Sequence, residues 1–154
     1  MSELKERLRA DLTASMKSRD EVRTRTLRMV LTEISKEEVS GTSARELDDA
    51  EIERVIGREA KRRREAAEAF SGAGRADQAT AELAEGKILA GYLPAQLDDD
   101  ELATLVADAI AQAGAAGPGA MGHVMKVITP QVAGRAEGGR VAAEVRRQLA
   151  AGDA

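Results

Sequence analysis

Apolar residues recur every three or four positions along most of this chain, and this spacing constrains the fold more than any other feature. Leu4, Leu8, Leu12 and Met16 repeat every four residues, which places them in one stripe along a helix. No segment shows the alternation of apolar and polar residues that is typical of a half-buried strand. The pattern therefore predicts an all-α protein.

The amino-acid composition limits the core that these helices can build. The chain has one Phe, one Tyr, no Trp and no Cys among its 154 residues, so we expect a core of Leu, Ile, Val, Met and Ala. Small side chains let helices pack closely, and Ala has the highest helix propensity. The lack of Cys excludes disulfides, Cys-ligated metals and thiol catalysis.

Turn signals and prolines divide the helical patterns into two groups. Because proline disfavours helix at the residue before it, Pro94 marks the boundary. We predict an N-terminal helical domain of about four helices at residues 1–94 and a C-terminal three-helix domain at residues 95–154. In the first group, predicted helices end near Arg19, near Gly41, at about Phe70 and at about Tyr92, and Gly41 is expected to provide a left-handed stop.

Helix-start signals support these assignments. Asp48 and Asp98 each precede a Glu by three residues, which is the spacing of a capping box. After the helix that Asp98 starts, residues 114–119 are expected to form a flexible connector. A short helix near 121–128 is expected to end before Pro130, and a last helix covers about 137–149.

The third helix carries a charged pair within its apolar face. At 100° per residue, Glu59 and Arg63 lie among Ile52, Val55 and Phe70. A charged pair there is costly unless other groups satisfy it. Either the pair meets partners from another helix, for which Glu82 and Glu85 are the nearest candidates, or this face is an interface with another protein.

The opposite face of the same helix is basic, and it has two interpretations. Arg58, Lys61 and Arg62 lie together there, beside Arg54. One interpretation is an ordinary solvated face with ion pairs such as Lys61–Glu65. The other is a row of phosphate contacts to RNA. The scarcity of aromatic residues argues against base stacking, so RNA would have to be recognised by shape and backbone.

A second set of basic residues lies in the C-terminal group. Lys126, Arg135 and Arg140 are candidates for a small basic patch, and His123 lies beside them in the sequence. The neighbouring glycines have a structural interpretation as turns. They also permit a helix N-terminus to approach a phosphate. His123 is interpreted first as a surface or capping residue, and it is also a candidate nucleic-acid contact together with these cations.

Several kinds of site are missing from the sequence. One His and no Cys leave no metal cage, and no phosphate-binding loop with its Lys and Ser or Thr is present. We therefore expect no metal site, no cofactor, no small-molecule cofactor partner and no catalytic residue. The charged N-terminus and the lack of a long apolar run predict a cytoplasmic protein with no membrane partner.

Short runs spread along the chain resemble motifs of the GatB/YqeY family, and they occur in the same order as in that family. They are Ser15-Met16-Lys17, Thr26-Leu27-Arg28-Met29, Lys61-x-Arg63, Ala73-Gly74-Arg75, Tyr92-Leu93-Pro94, Gly122-His-Val-Met-Lys126 and Gly134-Arg135-Ala136.

The resemblance implies an all-helical, stand-alone YqeY-like protein. The last two runs are similar to the tail of the B subunit of the tRNA-dependent amidotransferase, a helical module that contacts tRNA. This implies a tRNA-facing role for Lys126, Arg135 and Arg140. The resemblance also carries the label of a carbon–nitrogen ligase with glutamine as amido donor, for which the residues offer no chemistry of their own.

Three hypotheses follow. The first is a non-catalytic tRNA-binding or tRNA-associated helical module, accessory to aminoacyl-tRNA amidation in translation. The second is an adapter that binds a protein partner of the translation or amidation machinery without binding RNA, suggested by the Glu59–Arg63 pair and the net charge of -4. The third is the ligase itself, which rests on the resemblance alone.

Overall fold

The chain is all-helical in a computed structural model that describes residues 2–114 and 119–152. Seven helices and no strand lie within these ranges, which confirms the all-α prediction. Residues 115–118 of the predicted connector lie outside them. The helices are α1 (Glu3–Ser18), α2 (Glu21–Glu38), α3 (Asp49–Gly72), α4 (Ala76–Ala90), α5 (Asp99–Ala113), α6 (Ala120–Val132) and α7 (Gly138–Gly152).

The chain divides into two compact units, residues 1–93 and 94–154. The first contains α1 to α4 and the second contains α5 to α7. Each unit has its own cluster of buried apolar residues. That each unit folds independently of the other stays a prediction.

The core of the first unit is built by one apolar stripe from each helix. Leu8, Leu27, Ile34, Ile52 and Leu89 are fully buried in it. The helices α3 and α4 are joined by a short turn with Gly74 at φ 74°, and they make the most extensive contact in this unit. A Cβ added at Gly86 of α4 would lie 3.5 Å from the Cβ of Arg63 on α3. The small residue at position 86 therefore allows α4 to lie close to α3.

The second unit has a smaller core of the same kind. Val106, Val124, Ile128 and Val145 are fully buried among residues from all three helices. The segment before α5 is fixed to the turn between α6 and α7, because the Leu97 N–H donates to the Arg135 carbonyl at 2.8 Å. This backbone hydrogen bond fixes the main chain of Arg135 next to the start of α5, and it does not depend on the Arg135 side chain.

Both predicted capping boxes are confirmed. Asp48 accepts a hydrogen bond from the Glu51 N–H at 2.8 Å, and the Glu51 side chain accepts from the Asp48 N–H. Asp98 and Glu101 make the same reciprocal pair at the start of α5. These pairs satisfy N–H groups that a helix leaves unpaired in its first turn.

The predicted left-handed stop at Gly41 is wrong. The helix α2 ends at Glu38 and is capped by Val39 at φ −109°, and Gly41 does not have a positive φ. The left-handed stop occurs instead at Arg19, which follows α1 with φ 59°. Residue type therefore did not decide where the left-handed turn occurs. Arg19 adopts it because α2 starts only two residues later, which requires a sharp change of chain direction.

The predicted end of a helix before Pro130 is also wrong. The helix α6 continues through Pro130 to Val132. Proline has no N–H to donate to the carbonyl four residues earlier, and its ring crowds that carbonyl. Burial of Ile128 and Val132 on either side of Pro130 continues the apolar stripe of α6, and this packing outweighs the local preference.

Candidate nucleic-acid interface

The solvent-facing side of α3 carries a dense row of cations. Arg54, Arg58, Lys61, Arg62 and Arg64 are all exposed. They occupy three turns of one helix, a length of about 15 Å. The buried residues of α3 lie on the opposite side. We refer to these five cations together with Gly57 as the α3 basic face.

Gly57 lies in the middle of this face, although no neighbouring atom of the described residues requires a glycine there. A Cβ added at Gly57 would have no neighbour within 4 Å. Glycine inside a helix is less stable than alanine by about 1 kcal/mol. Lack of a side chain allows another molecule to approach the helix backbone closely. Gly57 therefore leaves a gap between the surrounding cations where a phosphate has room.

Several cations of the α3 basic face make weak ion pairs with exposed carboxylates. Arg58 lies 3.6 Å from Glu37 of α2, and Lys61 lies 4.0 Å from Glu65. Exposed pairs of this kind contribute only about 0–1 kcal/mol. Arg54 makes no hydrogen bond or ion pair within the described parts of the chain. These three side chains can therefore exchange their present partners for a phosphate at little cost.

Arg62 is more firmly held than its neighbours. Its Nη1 donates to Glu59 at 2.8 Å, and Glu59 is only 2% exposed. Arg62 thus neutralises a buried carboxylate at the edge of the face. Of the three cations that we predicted to contact RNA on α3, Arg58 and Lys61 are the more available.

The charged pair in the apolar face of α3 is satisfied within the first unit. Arg63 Nη1 donates to Glu59 at 3.3 Å, and Arg63 Nε lies 3.0 Å from Glu85 and 3.8 Å from Glu82 on α4. The Nε contact is an ion pair without hydrogen-bond geometry. The predicted partners are confirmed. The pair therefore does not require a partner from another protein, and it no longer supports the adapter hypothesis.

In the second unit, the outer face of α6 presents the next candidate residues. Lys126 is exposed and, within residues 2–114 and 119–152, makes no hydrogen bond or ion pair. Gly122 precedes it by one turn on the same face, and a Cβ there would have no neighbour within 4 Å. The exposed His123 folds its ring back toward Gly119, about 3.8 Å from the site of a Cβ on that residue.

Arg135 and Arg140 lie on different elements of the second unit. Arg135 belongs to the turn after α6 and is half-buried. Arg140, in the first turn of α7, donates to Asp99 of α5 at 2.9 Å. Among the described residues no hydrogen bond or shared carboxylate joins Lys126, Arg135 and Arg140. A single patch formed by all three stays a prediction.

The sequence interpretation missed the two glycines. Gly57 and Gly122 each lie one turn from a cation on an outer helix face. The signal was present in the sequence, because a glycine inside an amphipathic helix has an energetic cost and calls for a reason. Only the structure shows that neither glycine is needed for packing.

The part of the chain that the structure describes contains neither a metal-binding cluster nor a membrane-spanning helix. No three or more His, Asp or Glu residues lie together in a way that could hold a metal ion. None of the described helices combines the length and the apolar character that crossing a membrane requires.

Comparison with known proteins identifies a family. The sequence model of a family described as Yqey-like protein matches residues 5–149. This range covers both units and nearly the whole chain. A search of curated proteins found no match.

Proposed function

This chain belongs to the YqeY-like protein family, and on that premise we propose that it is a non-catalytic tRNA-binding module that contacts the phosphate backbone. Contact is made by the α3 basic face in the first unit and by the outer face of α6 in the second. The association with tRNA amidation is part of this proposal.

The observation that carries the proposal is the α3 basic face with its open glycine. Five exposed cations in three helical turns create a local positive surface on a chain whose net charge is -4. Phosphates attract such a surface whatever the nucleotide sequence. The weak ion pairs of Arg58 and Lys61 leave these side chains available for phosphate.

The aromatic residues support recognition of shape over recognition of unpaired bases. Tyr92 is 5% exposed and Phe70 is half-buried, so neither offers a free ring for stacking. Structured RNA is recognised mainly through its backbone and the shape of its helices. The similarity of the second unit to an amidotransferase tail supports tRNA as the structured RNA.

Binding of total tRNA to the full chain, followed by fluorescence anisotropy across a salt series, tests the proposal. We expect the logarithm of the association constant to fall linearly with the logarithm of salt concentration. The double charge reversal Arg58→Glu with Lys61→Glu should weaken binding and reduce the salt slope by about 2, since each phosphate contact contributes about 1. Unchanged affinity and slope in this variant would remove α3 from the proposal.

A pair of glycine variants provides a matched control for that experiment. Gly57→Ala and Gly86→Ala each add one methyl group inside a helix of the first unit, and neither meets an atom closer than 3.5 Å. Both should stabilise the fold by about 0.5–1 kcal/mol. Only Gly57→Ala should weaken tRNA binding, because its methyl group occupies the gap between the cations. Equal tRNA affinities for the two variants would show that the gap is not used.

A further inference from the structure

A groove opens beside the turn between α1 and α2, and it shares no residue with the α3 basic face. Its volume is about 560 Å³, which lies in the range of small-molecule sites. The groove is lined by Met16, Arg19, Glu21, Thr24, Arg25 and Arg28. The lining therefore contains three arginines and one carboxylate residue.

Each of the three guanidinium groups retains donors for a ligand. Arg28 Nη2 contacts the Met16 sulfur at 3.1 Å, and a thioether is a weak acceptor. Arg25 donates through Nε to Glu85 at 3.1 Å, while its side chain stays 60% exposed. The Arg19 side chain makes no hydrogen bond or ion pair within the described ranges. An anion that entered the groove would meet Arg19 without an ion-pair partner among the described residues and Arg28 with only a sulfur contact, while Arg25 keeps its hydrogen bond to Glu85.

The backbone of Arg19 forms the end of α1 beside the groove. Arg19 is the one residue other than glycine with a positive φ among the described residues, at φ 59° and ψ 34°. A side chain makes this left-handed conformation unfavourable, whereas glycine adopts it readily. Backbone hydrogen bonds from Arg19 N–H to Met16 and from Asp20 N–H to Ser15 close the end of α1, and the Arg19 side chain makes no hydrogen bond or ion pair among the described residues. Helices commonly end with a residue in this conformation, and that residue is usually glycine, so the helix end itself does not require an arginine at this position.

We propose that this groove binds a phosphate group, carried either by a free nucleotide or by the backbone of an RNA. A guanidinium presents a planar fork of donors that matches phosphate oxygens, and one phosphate can accept from more than one arginine. Met16 is 43% exposed at the wall, which provides an apolar surface for the organic part of the ligand. The groove is also larger than a single phosphate requires.

Two substitutions separate ligand binding from folding. Arg19→Gly removes a donor and relieves the left-handed backbone, so it should weaken phosphate binding without lowering the melting temperature. Arg28→Ala removes a second donor, whose described contact is only to a sulfur. Arg146→Ala in α7 is the matched control, because it removes an exposed arginine from the other unit.

The experiment uses the full chain and two probes, ATP and total tRNA, titrated at low salt by calorimetry. If the phosphate comes from free nucleotide, ATP binds saturably, and Arg19→Gly and Arg28→Ala each weaken it by about tenfold, the effect of losing one charged hydrogen bond. If it comes from RNA, ATP does not bind, and the same variants weaken tRNA binding. In both cases Arg146→Ala behaves as wild type.

The proposal is overturned if neither ATP nor tRNA binding changes in Arg19→Gly and Arg28→Ala. This outcome is separate from failure of the function proposed for the α3 basic face. The double reversal at Arg58 and Lys61 tests that face, and it should leave ATP binding intact because neither residue lines the groove. A lower melting temperature of Arg19→Gly would show that Arg19 supports the fold, which contradicts its assignment to a ligand.

Discussion

The two units use similar amphipathic helices but bury different chemistry. Lys5, Ser15, Thr26 and Glu59 are the buried polar residues of the described chain, and all of them lie in the first unit. The second unit buries only apolar side chains within its described residues. Its charged contacts, such as Arg140–Asp99 and Arg147–Glu144, remain at the surface.

Polar contacts between different segments help to hold the first unit together. Lys5 donates to Glu38 at 2.6 Å across α1 and α2. The Tyr92 hydroxyl donates to Asp11 at 2.5 Å and accepts from Arg23 at 3.0 Å, so it joins the end of α4 to α1 and α2. Both contacts join groups from different segments, so they form only while those segments are packed together. The second unit, by contrast, depends on how well its side chains fill the core.

Arg63 lies at the centre of the charged network that includes Glu59 and Glu85. Removing it should cause the largest loss of stability among these predictions, and the loss should fall on the first unit. Arg63→Met leaves the buried Glu59 with only Arg62. Loss of one partner of a buried pair costs about 3–5 kcal/mol, and the remaining Arg62 contact places the expected loss near the lower end. The measurement is chemical denaturation followed by circular dichroism.

The double variant Arg63→Met with Glu59→Met is the control for this prediction. Replacing both charges with apolar groups of similar size is often neutral or stabilising. We therefore expect the double variant to be more stable than Arg63→Met alone. If the single variant were as stable as wild type, the network would not hold the first unit together.

Tyr92 gives the first unit a sensitivity to alkaline pH. Burial, and then the hydrogen bond to Asp11, raise the pKa of Tyr92 from 10.0 to about 12. The folded chain holds this proton more tightly than the unfolded chain. The resulting stability is fully present below pH 10 and is lost as the pH rises toward about 12.

The second unit contains no Tyr, so the ultraviolet absorbance of tyrosinate reports on the first unit alone. We expect its midpoint near pH 12 in the native protein and near pH 10 in denaturant. A native midpoint near pH 10 would contradict the buried contact with Asp11. Tyr92→Phe should lose about 1 kcal/mol of stability, typical of one hydrogen bond.

The two capping boxes provide the smallest expected effect, and here the units should agree. Asp48→Ala and Asp98→Ala each remove the acceptor for one N–H in the first helical turn. Each should cost about 1 kcal/mol. Denaturation of the two variants measures both losses. A clear difference between them would show that the contrast between the units extends to their helix ends.

Local signals in the sequence predicted the features that depend on neighbouring residues. Apolar spacing predicted the helices, and Asp-x-x-Glu spacing predicted both capping boxes. The Arg63–Glu85 contact was also within reach, because α3 and α4 follow each other and a short turn brings their faces together. These predictions required only helix geometry and adjacency.

Features that depend on distant contacts were not predictable. The hydrogen bond between Tyr92 and Asp11 joins residues 81 positions apart, and no periodicity relates them. The left-handed Arg19 and the helix that continues through Pro130 both oppose local preference. The short connection from α1 to α2 decides the first, and the packing of Ile128 and Val132 decides the second. The same applies to the candidate site, where the cations were visible in the sequence but the open space over Gly57 and Gly122 was not.

The most direct test of the proposed function is an amide NMR titration of isotope-labelled full chain with total tRNA. Gly57 and Gly122 have open space above them on the two proposed contact faces, whereas Gly86 lies against Arg63 inside the first unit. We predict that the Gly57 and Gly122 signals shift or broaden at the lowest tRNA additions while Gly86 stays unchanged. Uniform behaviour of all three signals, or no change in any of them, would contradict tRNA binding through these faces.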